Sequence, residues 1–344
     1  MRYLYLLPYD GIGGVESAAR SLQYHPSAHL IPLAFISSRS STSPPSNTLY
    51  IGPFVSESNP LNYFSLLFYL FSARPDVLIA SLWRSTSVAI IFKIFLPRAR
   101  SITFLHLPTS VHLIDRVVNT LSCLLSYQIW VDSYATLASR VPQSLHYKSH
   151  VITHLANHLA PVCFGKLSPS FVFWGRITRQ KNLPYAFSVF RHLKAAFPSA
   201  TFTIIGPNSS YKSWLINCNS NLLSDSSLRV YSGLSLENIS EIVPESSFFL
   251  NTSDIEGMCM SVVEAMQFGL VPIVTPVGEI ANYTRHMYNS IHISDPLKIL
   301  EDVSYLFEHP SAFYDMRSNS INTWRAHPLY RDQFFEHLTE IPNF

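Results

Sequence analysis

Two carboxylates and two cations stand out by type and spacing. Glu256 and Glu264 lie eight positions apart in DIEGMCMSVVEAMQFG, residues 254–269, with Gly257 directly after the first. Arg176 and Lys181 lie five apart in FVFWGRITRQKN, residues 171–182. Carboxylates accept hydrogen bonds from hydroxyls, and neighbouring cations neutralise a diphosphate without a metal. A helix opening near Cys259–Ser261 would add amide donors of partial positive charge, a seat for phosphate or a sugar hydroxyl. Each pair alone also fits a solvated surface. Together they point to a hydroxyl-rich ligand carrying a diphosphate.

Such residues need rigid elements behind them. In the second half, short apolar runs at Phe171–Trp174, Thr201–Ile205, Leu228–Tyr231, Phe248–Asn251 and Val271–Val274 read as strands, with helices at Leu183–Phe197 and Ser261–Phe268. The first half alternates likewise. Its strands are expected at Tyr3–Leu7, Leu30–Ile36, Asp76–Ser81, Ser101–His106, Gln128–Asp132 and near Val151–Ile152. Its helices are expected at Val15–Leu22, Leu61–Ser72, Ser85–Phe95 and Val111–Ser126, with a Ser- and Pro-rich loop over Ser37–Asn47. Alternation of this kind implies parallel sheets with crossover helices. A chain of 344 residues suits two such domains, and the Pro- and Gly-containing stretch Asn157–Ser170 reads as their linker. The expected architecture is α/β: two Rossmann-like, doubly wound parallel-sheet domains facing a central cleft. The first spans 1–160 and the second 161–310. A helical segment, 311–344, with Trp324, Phe334, Phe335 and Leu338 at helical spacing, crosses back to the first.

Three further pieces accompany the charged pairs: TFTIIGP at Thr201–Pro207, VYSGLSLENI at Val230–Ile239 and VPIVTPVGEI at Val271–Ile280. In this order and spacing the five elements resemble the family-4 retaining glycosyltransferases of the GT-B fold. The resemblance is specific over Phe171–Ile280 and thinner elsewhere. It implies that Arg176 and Lys181 hold a donor diphosphate, that Glu264 binds the ribose hydroxyls, and that Glu256 contacts the donor sugar. It also implies that the amides of Gly257, Met258 and Cys259 help hold the sugar, and that Gly206 and Ser232, Gly233 and Leu234 line the nucleotide base. In the first half, YDGIGGVES places Gly13 and Gly14 where backbone amides approach the diphosphate. FLHLPTS places His106 at a strand end, where the family carries an active-site histidine, although such a histidine is ordinarily structural. The chain departs from the family pattern at Glu279 after Gly278, at Ser290 after Asn289, and at Met258 and Cys259, which replace an aromatic residue and a glycine. These departures bear on which sugar is accepted.

The resemblance implies transfer of a hexosyl group from a nucleoside diphosphate sugar to a hydroxyl of a glycan or lipid-linked acceptor, with retained configuration. The nucleotide sugar is a co-substrate; no cofactor is expected, and no metal, since no Asp-x-Asp motif occurs. The rival readings are a non-catalytic sugar-nucleotide-binding scaffold and a nucleotide-sugar epimerase on the same fold. A plain dehydrogenase fits poorly, because the GxG at Gly11–Gly13 lacks the later glycine of the dinucleotide fingerprint.

Composition narrows the setting. The four cysteines are scattered, which fits a reducing compartment. The N-terminus has no signal-peptide pattern, and the apolar runs Tyr63–Phe71 and Val88–Leu96 fall short of the roughly 20 residues of a membrane span. A cytoplasmic protein is expected. Residues 1–165 hold 11 Lys/Arg against 6 Asp/Glu, a net +5, whereas the remainder holds 13 against 16, a net −3. That imbalance admits peripheral contact with the inner face of a membrane. No basic run points to nucleic acid.

Overall fold

The computed structural model describes residues 1–11, 13–37, 47–224, 226–233 and 235–342. The loop expected over Ser37–Asn47 lies outside them except for its two end residues. The chain divides into two compact units, Met1–Asn157 with Pro328–Phe344, and His158–His327.

The first unit runs β1 (Tyr3–Leu7), α1 (Gly14–Ser21), β2 (Leu33–Phe35), β3 (Thr48–Tyr50), α2 (Pro60–Ala73), β4 (Val77–Ser81), α3 (Leu82–Phe95), β5 (Arg100–Leu105), α4 (Leu113–Leu125), β6 (Gln128–Val131), α5 (Tyr134–Arg140) and β7 (Ser149–Val151). The strands form one sheet, ordered β3-β2-β1-β4-β5-β6-β7, and every pair is parallel. Alternate residues of β1 serve opposite faces, as the pleat requires. Leu4 and Leu6 join one core with α2 and α3, whereas Tyr5 and Leu7 join another with α1. A strand covered by apolar cores on both faces is apolar at nearly every position, which is why β1 lacks polar alternation.

The second unit runs β8 (Ser170–Trp174), α6 (Leu183–Ala196), β9 (Thr201–Ile205), α7 (Ser210–Asn217), α8 (Ser220–Ser224), β10 (Leu228–Tyr231), α9 (Leu236–Ile242), β11 (Phe248–Asn251), α10 (Met260–Phe268), β12 (Val271–Val274), α11 (Ile280–Tyr283), β13 (Ile291–His292), α12 (Pro296–Glu308) and α13 (Pro310–Arg325). Its parallel sheet is ordered β10-β9-β8-β11-β12-β13. The order reverses between β8 and β11, so the loops leaving their carboxyl ends diverge to opposite faces and leave a crevice.

The end of the chain is not one continuous helix. α13 stops at Arg325, and α14 (Tyr330–Thr339) starts afresh. Pro328 between them supplies no amide hydrogen and disfavours helical geometry at the residue before it. α13 packs on α10, with Trp324 Nε1 donating to Met266 Sδ at 3.3 Å. α14 buries Tyr330, Phe334 and Leu338 in the α1-side core of the first unit, where Phe334 meets Trp130 edge-on at 5.0 Å. α12 was not expected, although Asp295 before Pro296 is a helix-start signal; Asp295 accepts from the amides of Leu297 and Lys298. Among the described residues no helix is long and apolar enough to cross a membrane.

Phe334 is fully buried. Phe334→Ala should destabilise the chain by about 3–5 kcal/mol through lost burial and the cavity left behind, read as a lower urea midpoint.

Candidate active site

The charged residues of the second unit gather at the β8/β11 crossover. β8 ends at Trp174, and its loop carries Gly175, Arg176 and a short 3-10 turn, Arg179–Lys181. β11 ends at Asn251, and its loop carries Glu256 through Cys259 into α10. The two loops are tied along their length. Asp254 N donates to Gln180 O at 2.9 Å, Gln180 Nε2 to Ile255 O at 2.7 Å, and Asn182 Nδ2 to Asp254 Oδ1 at 2.8 Å. At the centre, Lys181 Nζ donates to Glu256 Oε1 at 2.6 Å, with both side chains nearly buried. Burial alone would pull the lysine down, but the adjoining Cys259 and Glu256 side chains more than offset this, and the lysine's pKa stands above the ordinary value. Burial pushes the neighbouring Cys259 thiol up to about 12, so it stays protonated and Glu256 is the ionic partner.

Arg176 is exposed and makes no hydrogen bond or ion pair among the described residues, so its guanidinium is available to an incoming anion. Glu264, in α10, accepts from Trp174 Nε1 at 2.8 Å. Burial pushes its carboxyl up to about 7, although the Trp174 hydrogen bond and Lys181 pull the other way. Lys181 faces both carboxylates electrostatically but bonds only Glu256.

The loop from Glu256 to Cys259 is fixed from behind. Gly257 O accepts from Glu279 N at 3.2 Å, and Met258 O accepts from the Tyr283 hydroxyl at 2.9 Å. Gly278 has φ +58°, and a Cβ there would overlap the Glu256 carbonyl oxygen. Cys259 itself adopts a left-handed conformation, φ 53°. That geometry is what glycine takes without strain, so the chain bears a cost of about 1–2 kcal/mol to keep a side chain here. The buried sulfur accepts from Asn251 Nδ2 at 3.3 Å and lies 3.7 Å from Lys181 Nζ.

Gly206 ends β9 so close to β8 that a Cβ would stand 2.5 Å from the Gly175 carbonyl oxygen. Ser232 and Gly233 follow β10, where the Ser232 hydroxyl donates to Asn208 Oδ1 at 3.3 Å. Leu234 lies outside the described residues. Lys212, which sequence reasoning missed, is buried and donates to the carbonyls of Gly206 at 2.7 Å and Tyr231 at 2.8 Å, tying the ends of β9 and β10. Trp174 was missed too, because an indole at a strand end carries no motif.

Gly13, Gly14 and His106 belong to the first unit. Gly13 caps α1 in extended geometry and Gly14 begins it; a Cβ on Gly13 would overlap the Glu16 carboxylate. The loop before them is held by Asp10, which pairs with Arg20 at 2.7 Å and accepts from Tyr50 at 2.5 Å. His106 follows β5 and is buried. Its Nε2 lies 2.8 Å from Ser81 Oγ, which lies 2.8 Å from Tyr5 OH, itself 3.4 Å from Tyr330 OH. Burial, with His154 beside it, holds the ring well below the ordinary histidine pKa, so it is neutral. If Tyr330, Tyr5 and Ser81 each donate onward, Nε2 accepts and the proton sits on Nδ1, which has no partner among the described residues. The ligand atoms of His106, Asp132 and His154 lie within 4.8 Å of one another, a donor set of the kind that holds a metal ion.

Residues 165–323, most of the second unit, match the family described as glycosyl transferases group 1, so this unit is a glycosyl transferases group 1 domain. The whole chain has the GT-B fold of solved glycosyltransferase structures. It is similar to HepE of Anabaena, solved with UDP and glucose, at TM-score 0.77 and 14% identity, covering 99% of this chain and 100% of that one. It is also similar to sucrose-phosphate synthase of Thermosynechococcus elongatus, at TM-score 0.79 and 13% identity, covering 99% of both chains. A glycosyltransferase of Rickettsia africae matches at TM-score 0.70 and 13% identity, covering 98% of this chain and 97% of that one. No curated protein matches the chain by sequence.

The raised Glu264 pKa has a consequence for stability. A carboxyl whose pKa is near 7 folded and 4.5 unfolded binds its proton more tightly when folded. Its contribution is fully present below about pH 4.5 and is lost as pH rises through about 7. Glu264→Gln should flatten that part of the stability–pH curve, measured by urea unfolding; an unchanged slope between those values would refute the shift.

Proposed function

We propose that the chain transfers a sugar from a nucleoside diphosphate sugar to a hydroxyl of a glycan or lipid-linked acceptor, with retained configuration and without a metal. The observation that carries this reading is the Lys181–Glu256 pair at the crossover of a group 1 domain, with exposed Arg176 beside it and Glu264 behind. HepE, on the same fold, was solved with UDP and glucose, which supports a nucleotide-sugar donor. The four free cysteines suit a reducing, cytoplasmic setting.

In this reading Arg176 and Lys181 meet the diphosphate oxygens, supplying preorganised positive charge where negative charge develops. Glu264 accepts from the ribose hydroxyls and Glu256 from a sugar hydroxyl. Gly206, Ser232 and Gly233 border the base. The bond from the anomeric carbon to the diphosphate breaks, and its electrons leave with the diphosphate. The acceptor oxygen forms the new bond on the same face and passes its proton to the departing phosphate. His106, in the first unit, is held neutral. No cofactor is required.

Arg176→Ala and Lys181→Ala should each weaken binding of a nucleoside diphosphate by about tenfold or more, the loss of a charge-assisted bond of about 1.5–3 kcal/mol. They should differ in stability. Lys181→Ala strands the nearly buried Glu256 charge and should lower the unfolding midpoint, whereas exposed Arg176→Ala should not. Glu256→Ala should lose turnover and also weaken binding of the free nucleotide, because it removes the carboxylate that aims Lys181; Glu264→Ala should lose affinity for it. Calorimetry paired with a turnover assay over UDP-, GDP- and ADP-sugars separates these outcomes. If both glutamate variants keep binding and turnover, the donor site is elsewhere.

A further inference from the structure

Helix α4 is built the reverse of an ordinary surface helix. Such helices turn an apolar stripe to the core and polar residues to water. The inward side of α4 is largely polar, with Cys123 its one fully buried apolar residue. Asp115, Asn119 and Ser122 are buried, and they spend their hydrogen bonds inside the unit. Asn119 donates to Asp115 and accepts from Thr86 at 2.9 Å; Ser122 bonds Thr103; Asp115 lies 3.5 Å from Arg140. The outward side carries Leu113, Ile114, Val117, Leu121, Leu124 and Leu125, all exposed, Leu113 to 74%.

The neighbouring helices extend this surface. α3 packs along α4 and exposes Ile94 and Phe95; α2 packs along α3 and exposes Leu61, Phe64 and Phe68, the last to 79%. Three adjacent helices thus turn large apolar side chains to solvent, far more than the isolated exposed residues of ordinary surfaces.

The charges of this region are mainly of one sign. Residues 60–148 hold 8 Lys/Arg and 3 Asp/Glu. Two of the three acids, Asp115 and Asp132, are buried, and Asp76 pairs with Arg2 at 3.6 Å. Arg74, Arg98 and Arg116 are exposed. A second copy of this face would set arginine against arginine, which disfavours self-association. An anionic surface with a hydrocarbon layer beneath matches both features at once: leucines and phenylalanines enter the acyl boundary while arginines meet the headgroups.

We propose that the face formed by α2, α3 and α4 docks the first unit onto an anionic lipid bilayer. The docking stands apart from the donor-site reading, because it needs neither donor nor catalysis. It also favours the lipid-linked class of acceptor over a free glycan.

The test is flotation of the full chain with vesicles of phosphatidylcholine, with or without phosphatidylglycerol. The chain should float with the anionic vesicles at low salt, and less so as salt rises. The double variant Val117→Asp/Leu121→Asp changes only exposed positions. It should keep the wild-type unfolding midpoint and nucleoside diphosphate binding, yet lose about tenfold or more in vesicle partition. The proposal is overturned if the wild type stays unbound with both vesicle types, or if the folded variant floats as well as the wild type. A wild-type dimer in sedimentation that the variant dissociates, without vesicle binding, would assign the face to a second copy instead.

Discussion

The reversal of strand order between β8 and β11 is the constraint on which the second unit's charged cluster depends. Lys181 and Glu256 are 75 positions apart in sequence, and nothing local brings them together. They meet because adjacent parallel strands, wound to opposite sides, send their following loops past one crevice. The backbone and side-chain bonds of Gln180, Asn182 and Asp254 then hold the loops in register, and Gly278 gives the Glu256 carbonyl room. Arg176 rides on the same loop as Lys181. Glu264 lies on the helix that the Glu256 loop feeds.

That arrangement stores charge in a partly dehydrated place. A nearly buried ion pair seldom adds much net stability, since both ions lose water on folding. Its value here is positional: Glu256 aims Lys181 without consuming all three of its donors, and Trp174 aims the Glu264 carboxyl. In the first unit the same economy appears in neutral form. The Tyr330, Tyr5 and Ser81 hydroxyls orient the His106 ring, and one of those hydroxyls comes from α14, the last helix of the chain. The final segment therefore reaches His106 through hydrogen bonding as well as through the core.

α4 shows where hydrophobic patterning and burial part company. Its apolar stripe is regular enough to signal a helix, yet the rule that apolar faces turn inward places it backwards. Ser, Thr, Asn and Asp inside the unit can satisfy one another because α3, α4 and β5 each contribute a partner. Once that polar network occupies the interior, the leucines have only the outside left. The orientation of the helix is decided by side-chain complementarity across three elements.

Much of the scaffold was legible from local pattern. Short apolar runs match β1, β9, β11 and β12 to the residue, because a strand covered on both faces is largely apolar and is bounded by glycine or polar loops; the edge strand β10 matches too, with Arg229 and Tyr231 exposed. The charged pairs were visible by type and spacing, and Gly206 by its place at a strand end. The tertiary structure decided what lies between distant positions. It paired Lys181 with Glu256 and left Arg176 free, joined Trp174 to Glu264, tied β9 to β10 through Lys212, and placed Cys259 in a left-handed turn. It also split the C-terminal segment at Pro328 and turned the apolar side of α4 outward. Backbone preference and periodicity act over a few residues and can be read along a chain. Hydrogen-bond partners, pKa shifts and the direction a helix faces depend on neighbours that only the fold supplies.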